Sequence, residues 1–384
     1  MFGPDMLSHW LLDPAVAFLN HGCFGATPRQ VLEAQAVWRE RLETHPVELL
    51  DRGRRELLAD PKRVVGEFIG ADPDDFGFVT NATGGVNAVL RSLGFEAGDE
   101  ILTTDHVYNA VHQTLRYIGR VSGAKVIQVA IPLPVSGPDQ ITDAIAAALT
   151  DRTRLVLIDH IGSSTGVVFP VRQILDLCTS RGIDVLVDGA HGPGMIELDV
   201  TGLGAAYYTG NLHKWVCAPK GAAFLWVRPD RQAGIHPNTI SHFLDEGLAE
   251  EFQWQGTRDI TAWLCAPDAI EFMRQFGWDE VRRHNHELAV WAQQMLSSCW
   301  QVPASTPADG SMLGSMATLP LPGALRERFG DITALQRRLY DRDQIEVPII
   351  EWNDRWLLRV SCQIYNDREQ YERLAKAVME HATG

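Results

Sequence analysis

The sequence predicts an α/β fold built on a mostly parallel sheet, and three observations lead there. Between residues 76 and 227, short β-rich runs alternate with helical patterns. Several of those runs are apolar on both faces, as strands must be when helices cover both sides of a sheet. After about residue 230 the alternation stops, and a smaller α+β pattern follows.

Seven runs read as strands: FGFVT (76–80), EILTTD (100–105), KVIQVAI (125–131), RLVLIDHI (154–161), DVLVD (184–188), AAYYTG (205–210) and AAFLWV (222–227). Helical patterns are predicted near 83–93, 108–121, 139–149 and 170–182, the last ending on a glycine suited to a helix C-terminus. Upstream, ATPRQVLEAQAVWRERLE reads as a helix, with Thr27 as cap and Pro28 in the first turn. The stretch 230–260 is irregular. Its His236, His242, Phe243, Phe252 and Trp254 suit a pocket wall or a subunit contact, and equally suit packing between domains. Long helical patterns follow at 260–276 and 278–298. MLGSMATL (312–319), a helix near 331–341, IEVPII (345–350), WLLRVS (356–361) and a last helix from about 366 complete the smaller unit. The expected division is a large domain over 18–258 and a small one over 1–17 and 259–384. No internal repeat is present.

The chain's 384 residues suffice for such a pair of domains. Its 34 basic against 49 acidic residues give a net charge of −15, which argues against nucleic-acid or anionic-membrane partners. The six cysteines (23, 178, 217, 265, 299 and 362) form no CxxC pair, so neither a zinc site nor a thioredoxin-like motif is suggested, and no metal is expected. Scattered in this way they read as reduced thiols of a cytoplasmic protein. The start MFGPDMLSHW lacks the basic and apolar stretches of a signal peptide, and no apolar run is long enough to span a bilayer.

Three motifs carry chemistry. In YTGNLHKW (208–215), Lys214 follows a strand and a small-residue turn, where a lysine can be withdrawn from water for a task. In VDGAH (187–191), Asp188 ends an apolar strand, the place where open α/β sheets bind ligands. In TNATGGVN (80–87), a strand delivers a polar turn into a helix start, whose N–H groups can hold a phosphate. Each also has an ordinary reading, as a surface lysine, a solvated strand end or a capped helix.

Taken in this order, with NHGCFG (20–25) before them and GTRD (256–259) after, the motifs resemble the class V aminotransferase family of fold-type I pyridoxal 5′-phosphate (PLP) enzymes. The spelling TGNLHKWVCAPKG is most similar to its isopenicillin N epimerase-like branch, with C–S lyases as neighbours. The resemblance runs from about 18 to 365. It implies a fold-type I PLP-dependent transferase with a mostly parallel seven-stranded sheet. It also implies Lys214 as the Schiff-base lysine, Asp188 on the pyridine nitrogen, and His191 near the phenolic oxygen. Asn81, Ala82 and Thr83 match the phosphate turn, with His213 a further phosphate contact. His106 falls where the family stacks an aromatic ring, and Tyr108 is its rival. His160 matches a polar residue facing substrate or cofactor, although Gly162-Ser163-Ser164-Thr165 departs from the branch's wording there. Thr257 matches a residue reaching the phosphate of the other subunit, which implies a homodimer with shared sites. Arg359 matches the clamp for the substrate carboxylate, and its planar fork suits that task. Asn20, His21 and Gly22 fall on the substrate side, and Cys23 stands where a serine is usual.

With such a cofactor the α-hydrogen of an amino acid becomes acidic. Reprotonation on the other face epimerises, and loss of a substituent eliminates. Desulfuration through a loop cysteine is disfavoured, because DRDQIEVPIIEWNDRW (341–356) contains none. The expected activity is an amino-acid epimerase, with Lys214 as base on one face and His21, Cys23 or Tyr108 as candidates on the other. A PLP-dependent C–S lyase is the alternative. A non-catalytic PLP-fold binding protein is the reading from another class; the set of Lys214, Asp188 and Arg359 speaks against it. Transamination is disfavoured by the resemblance alone.

Overall fold

The structure is a computed structural model that describes residues 2–383. Its centre is a seven-stranded sheet: β1 (Phe76–Val79), β2 (Glu100–Thr104), β3 (Lys125–Val129), β4 (Thr153–Asp159), β5 (Asp184–Asp188), β6 (Tyr207–Asn211) and β7 (Ala223–Val227). The strand order is β1-β7-β6-β5-β4-β2-β3. Only β7 runs against its neighbours. The chain reverses its order between β2 and β4, which opens a crevice at their C-terminal ends. Strands β1, β2, β6 and β7 are buried at every position, so both sheet faces are covered.

Helices α1 (His21–Phe24), α2 (Arg29–Thr44), α3 (Arg54–Ile69), α4 (Ala82–Ser92), α5 (Asn109–Ser122), α6 (Pro138–Ala148) and α7 (Val171–Thr179) lie in or around this layer. Thr27 does not cap α2: Pro28 occupies the cap position, and the Thr27 hydroxyl donates to the Ala218 carbonyl at 3.1 Å. The loop between β6 and β7 therefore claims the group that local pattern assigned to the helix. The run at 260–276 is broken at Cys265 into Thr261–Leu264 and α8 (Ala266–Arg274), with Pro267 in the first turn of the second piece. Ile260, Trp263, Leu264, Ala269, Ile270, Phe272 and Met273 bury side chains in the same apolar cluster as Phe76, Val156 and Val185. They belong to the packing of the large sheet, although the sequence boundary falls at 259.

The smaller unit carries an antiparallel sheet of β8 (Met316–Pro320), β9 (Ile349–Trp352) and β10 (Arg355–Ser361), with β10 central. Helices α9 (Trp278–Trp300) and α10 (Arg368–Thr383) share one apolar cluster with it. The two units are joined at the N-terminal segment. Ala17–Phe18 pairs in parallel with Ile345–Glu346, and the Ser361 amide donates to the Leu19 carbonyl at 2.8 Å.

That segment leads into α1, which lies against the turn carrying Lys214. Gly25 closes α1 at φ 67°, and a Cβ there would stand 1.9 Å from the His213 carbonyl oxygen. Both the backbone conformation and the space exclude a side chain. Gly25→Ala is expected to destabilise the protein by about 3 kcal/mol, read from denaturant unfolding. A variant as stable as the parent would show that this contact is not formed.

Candidate active site

The turn after β6 is held before it does anything chemical. The amides of Leu212 and His213 both donate to the Ala222 carbonyl, and the Ala218 amide donates back to Leu212. His21 Nε2 meets the Lys214 carbonyl at 3.0 Å from the other side. Lys214 is thus delivered from a rigid loop into a cavity of about 340 Å³, within the range of small-molecule sites. Asp159, Asp188, Ala190, His191, Asn211 and His213 line it beside Lys214. Thr80, Asn81, Ala82 and Thr83 line it at the start of α4, and Cys23, Phe24, Tyr108, Ser163, Lys220 and Gly221 complete it.

Lys214 has no carboxylate within ion-pair distance among the described residues. Its Nζ lies 3.0 Å from His191 Nε2. Burial, and then the nearby Arg359 charge, pull its ammonium down to about 8. His191 fixes the direction of the hydrogen bond. Trp215 Nε1 donates to His191 Nδ1 at 3.2 Å, and an indole nitrogen can only donate. Burial holds His191 far below the usual imidazole range, so the ring is neutral. Its one proton therefore sits on Nε2 and points at Lys214 Nζ, which accepts it. Only an unprotonated amine can accept, so the chain Trp215–His191–Lys214 favours the nucleophilic form, which predominates above about pH 8.

Asp188 ends β5 and is buried, with one oxygen accepting from the Ala190 amide at 3.0 Å. The start of α4 is tied to the sheet: Asn211 Oδ1 accepts from the Ala82 amide at 2.8 Å, and Asn81 Oδ1 from the Gly84 amide at 2.8 Å. The Thr83 amide, between them, has no acceptor among the described residues. A helix start with a free amide, Lys220 nearby and His213 alongside suits a phosphate. A buried amine with a lowered pKa, a carboxylate at the strand ends and a phosphate-type helix start all face one cavity, and these are the groups that PLP needs.

Arg359, on β10, lies behind the cavity wall and is buried. Nη2 meets Cys23 Sγ at 3.0 Å and Nη1 donates to the Ser163 carbonyl; Cys23 and Ser163 both line the cavity. Nε has no partner, and no carboxylate pairs with the guanidinium among the described residues. A buried cation in that state is an anion site in waiting.

Several expected residues are placed elsewhere. His106 is buried, with Nδ1 on Thr165 Oγ1 at 2.9 Å and Nε2 on the Ile131 carbonyl at 2.9 Å; Tyr108, not His106, lines the cavity. His21 is spent on the Tyr365 hydroxyl at 2.8 Å and the Lys214 carbonyl, and burial keeps it neutral with a pKa of about 3. It supports the lysine turn and does not reach the cavity. His160 turns to the Tyr208 hydroxyl at 3.0 Å. Asn20 donates to Glu346 at 3.0 Å and lines a different recess. Gly22 is buried against Met316 and donates its amide to Ser361 Oγ. Thr257 is exposed and outside the cavity. The aromatic segment packs away from the cavity: Phe252 is buried over Gly77 of β1, and Arg54 lies over the Phe243 and Trp254 rings. None of its five rings lines the cavity.

Asp159, Asn211, Trp215 and Ser163 are the site residues that the sequence reading did not assign. Asp159 carried the same signal as Asp188, an acidic residue ending an apolar strand run, but lay beside the more conspicuous His160. Asn211 and Trp215 act only through long-range hydrogen bonds, which spacing does not show.

Fold and site together define a fold-type I PLP-dependent enzyme. The sequence profile described as aminotransferase class-V matches residues 27–374, and the chain belongs to this family. It is 34% identical to an isopenicillin N epimerase of Amycolatopsis lactamdurans, over 96% of each chain. It is 33% identical to a probable chloroplastic L-cysteine desulfhydrase of Arabidopsis thaliana, over 95% of this chain and 83% of that one. Among solved structures, a C-DES mutant with glycine covalently linked to its PLP cofactor superposes with a TM-score of 0.83 at 22% identity, over 96% of both chains. The apo cysteine desulfurase from Thermococcus onnurineus gives 0.81 at 20% identity, over 99% of this chain and 98% of that one.

The hydrogen-bond chain onto Lys214 has a measurable consequence. Capture of PLP by the apo protein should speed up about tenfold per pH unit until it levels off near pH 8, as the amine loses its proton. Trp215→Phe frees His191 to accept from an ammonium instead, so the midpoint should move up by about one unit. A wild-type midpoint at the ordinary lysine value of about 10.4 would contradict the assignment.

Proposed function

We propose that the protein is an amino-acid epimerase of the isopenicillin N type, with Lys214 as the base on one face of the α-carbon. The observation that carries this reading is the pairing of a buried, readily deprotonated amine with a buried guanidinium that lacks any acidic partner among the described residues. An α-amino acid has the two groups that would engage them. Bound PLP would supply the electron sink that makes the α-hydrogen acidic.

The chain's own residues do the rest. Arg359 binds the carboxylate, exchanging Cys23 and Ser163 for two charge-assisted hydrogen bonds. Lys214 holds or returns the α-proton on its face. With His21 committed behind the wall, Cys23 and Tyr108 are the groups left to serve the second face. Asp188 would keep the pyridine nitrogen protonated, with Asn81, Ala82, Thr83 and His213 around the phosphate. The identity to epimerases over nearly the whole chain supports the choice of reaction.

A C–S lyase acting on cysteine is the second reading, favoured by relatives of similar identity named L-cysteine desulfhydrase. No cysteine stands in 341–356, so sulfur would have to leave by elimination and not by attack of a loop thiol. We further propose a homodimer in which the exposed Thr257 loop reaches the partner's phosphate site. Arg258 beside it is half-buried without an acidic partner, which suits such a contact. Six unpaired cysteines support a cytoplasmic setting. No helix among the described residues is long and apolar enough to cross a membrane.

Incubating the holoenzyme with a panel of L-amino acids in D₂O decides between the readings. An epimerase gives α-deuterated product of inverted configuration; pyruvate with sulfide or ammonia instead would replace this reading by the lyase. In the variant that removes the second-face group, Cys23→Ala or Tyr108→Phe, α-deuteration should persist while inversion falls about 100-fold. Arg359→Lys should raise KM about 10- to 100-fold, because a point charge does not replace a bidentate clamp.

A further inference from the structure

Asp159 is a buried acidic residue for which the site as described has no use. It ends β4 and is the Cα partner of Asp188 at the end of β5. Neighbouring residues in register on parallel strands point to the same face, so the two carboxyl groups stand side by side. Both line the cavity and both are almost completely buried. Two carboxylates so placed cannot both be charged at modest cost.

We propose that Asp159 is a further positioning residue of the site, a neutral carboxylic acid that leaves the negative charge of the strand-end pair on Asp188. The partners decide which member holds the proton. Asp188 accepts from the Ala190 amide, a bond that favours its ionised form. Asp159 has one oxygen, Oδ2, sealed from solvent with no partner at all. A charge on that oxygen would be uncompensated, whereas a hydroxyl there leaves only a modest deficit.

The other groups around Asp159 do not reverse this. The Tyr108 amide, from the start of α5, and the Lys214 amine both favour its charged form, but burial and the Asp188 charge outweigh them. His160, next in sequence, spends Nδ1 on Tyr208, whose phenol burial keeps protonated. His191 directs its proton to Lys214. No cation lies within ion-pair distance of Asp159 among the described residues. The consequence for function is that Asp188 stays available as an anion for the pyridine nitrogen. This role rests on the PLP reading, but the protonation state does not.

The apo protein tests the protonation state without the cofactor. Unfolded, Asp159 loses its proton at about pH 3.9, while the folded protein keeps it. Stability therefore declines as pH rises above that value, up to the folded-state pKa. Asp159→Asn keeps a neutral group of the same shape and removes the decline. The variant's apo Tm should exceed the wild type's by several degrees at about pH 8 and by less at about pH 5. A difference that does not change with pH, or a variant that loses stability towards pH 8, overturns the proposal. In the holoenzyme, Asp159→Asn should move the pH midpoint of the visible cofactor band by less than about 0.3 unit. A fall of about one unit or more would mean that a negative charge was removed, and would also overturn it. If PLP does not bind, the PLP reading fails, and the apo comparison still decides the charge of Asp159.

Discussion

Making one buried lysine easy to deprotonate sets the terms for everything around it. An amine in water at neutral pH is charged, and a buried ammonium normally finds a carboxylate. Lys214 instead meets a neutral imidazole whose tautomer is set by an indole N–H behind it. That arrangement needs Trp215 and His191 in fixed orientation, and so needs the turn after β6 pinned on both sides. The close approach of Gly25, the support from His21 and the crevice at the sheet's switch point all follow from that demand.

The same interior must also tolerate acids. Two strands in register bring Asp159 and Asp188 to the C-terminal end of the sheet together. An amide donor on each favours charge, but the sealed, unpartnered oxygen of Asp159 and the neighbouring Asp188 charge set the two apart. On the opposite wall a buried guanidinium rests on a thiol and carbonyl oxygen, both replaceable by a better anion. The site is thus arranged with a free amine, one fixed negative charge and one unpaired positive charge. An α-amino acid and an electron-withdrawing cofactor complete it.

Much of this was legible in the sequence because it is local. All seven strands of the main sheet coincide with β-rich runs, and Lys214, Asp188 and the 80–83 turn each sit where a strand ends. What was not legible depends on partners distant in the chain. His106 and Tyr108 are two residues apart, and only the claims of Thr165 and Ile131 on His106 decide which faces the cavity. His21 looks like a catalytic histidine until Tyr365, 344 residues later, takes its Nδ1. Thr27 has the right spacing for a cap, yet the Ala218 carbonyl competes for it successfully. Asp159 could have been found by the rule that found Asp188.

Everything above depends on Lys214 being the amine that bonds the cofactor. Reducing the PLP-loaded protein with borohydride and mapping the modified peptide by mass spectrometry tests this directly. The account predicts a single pyridoxyl-phosphate adduct on Lys214, absent from Lys214→Arg. An adduct on Lys220, the other lysine lining the cavity, or no site-specific adduct at all, would contradict it.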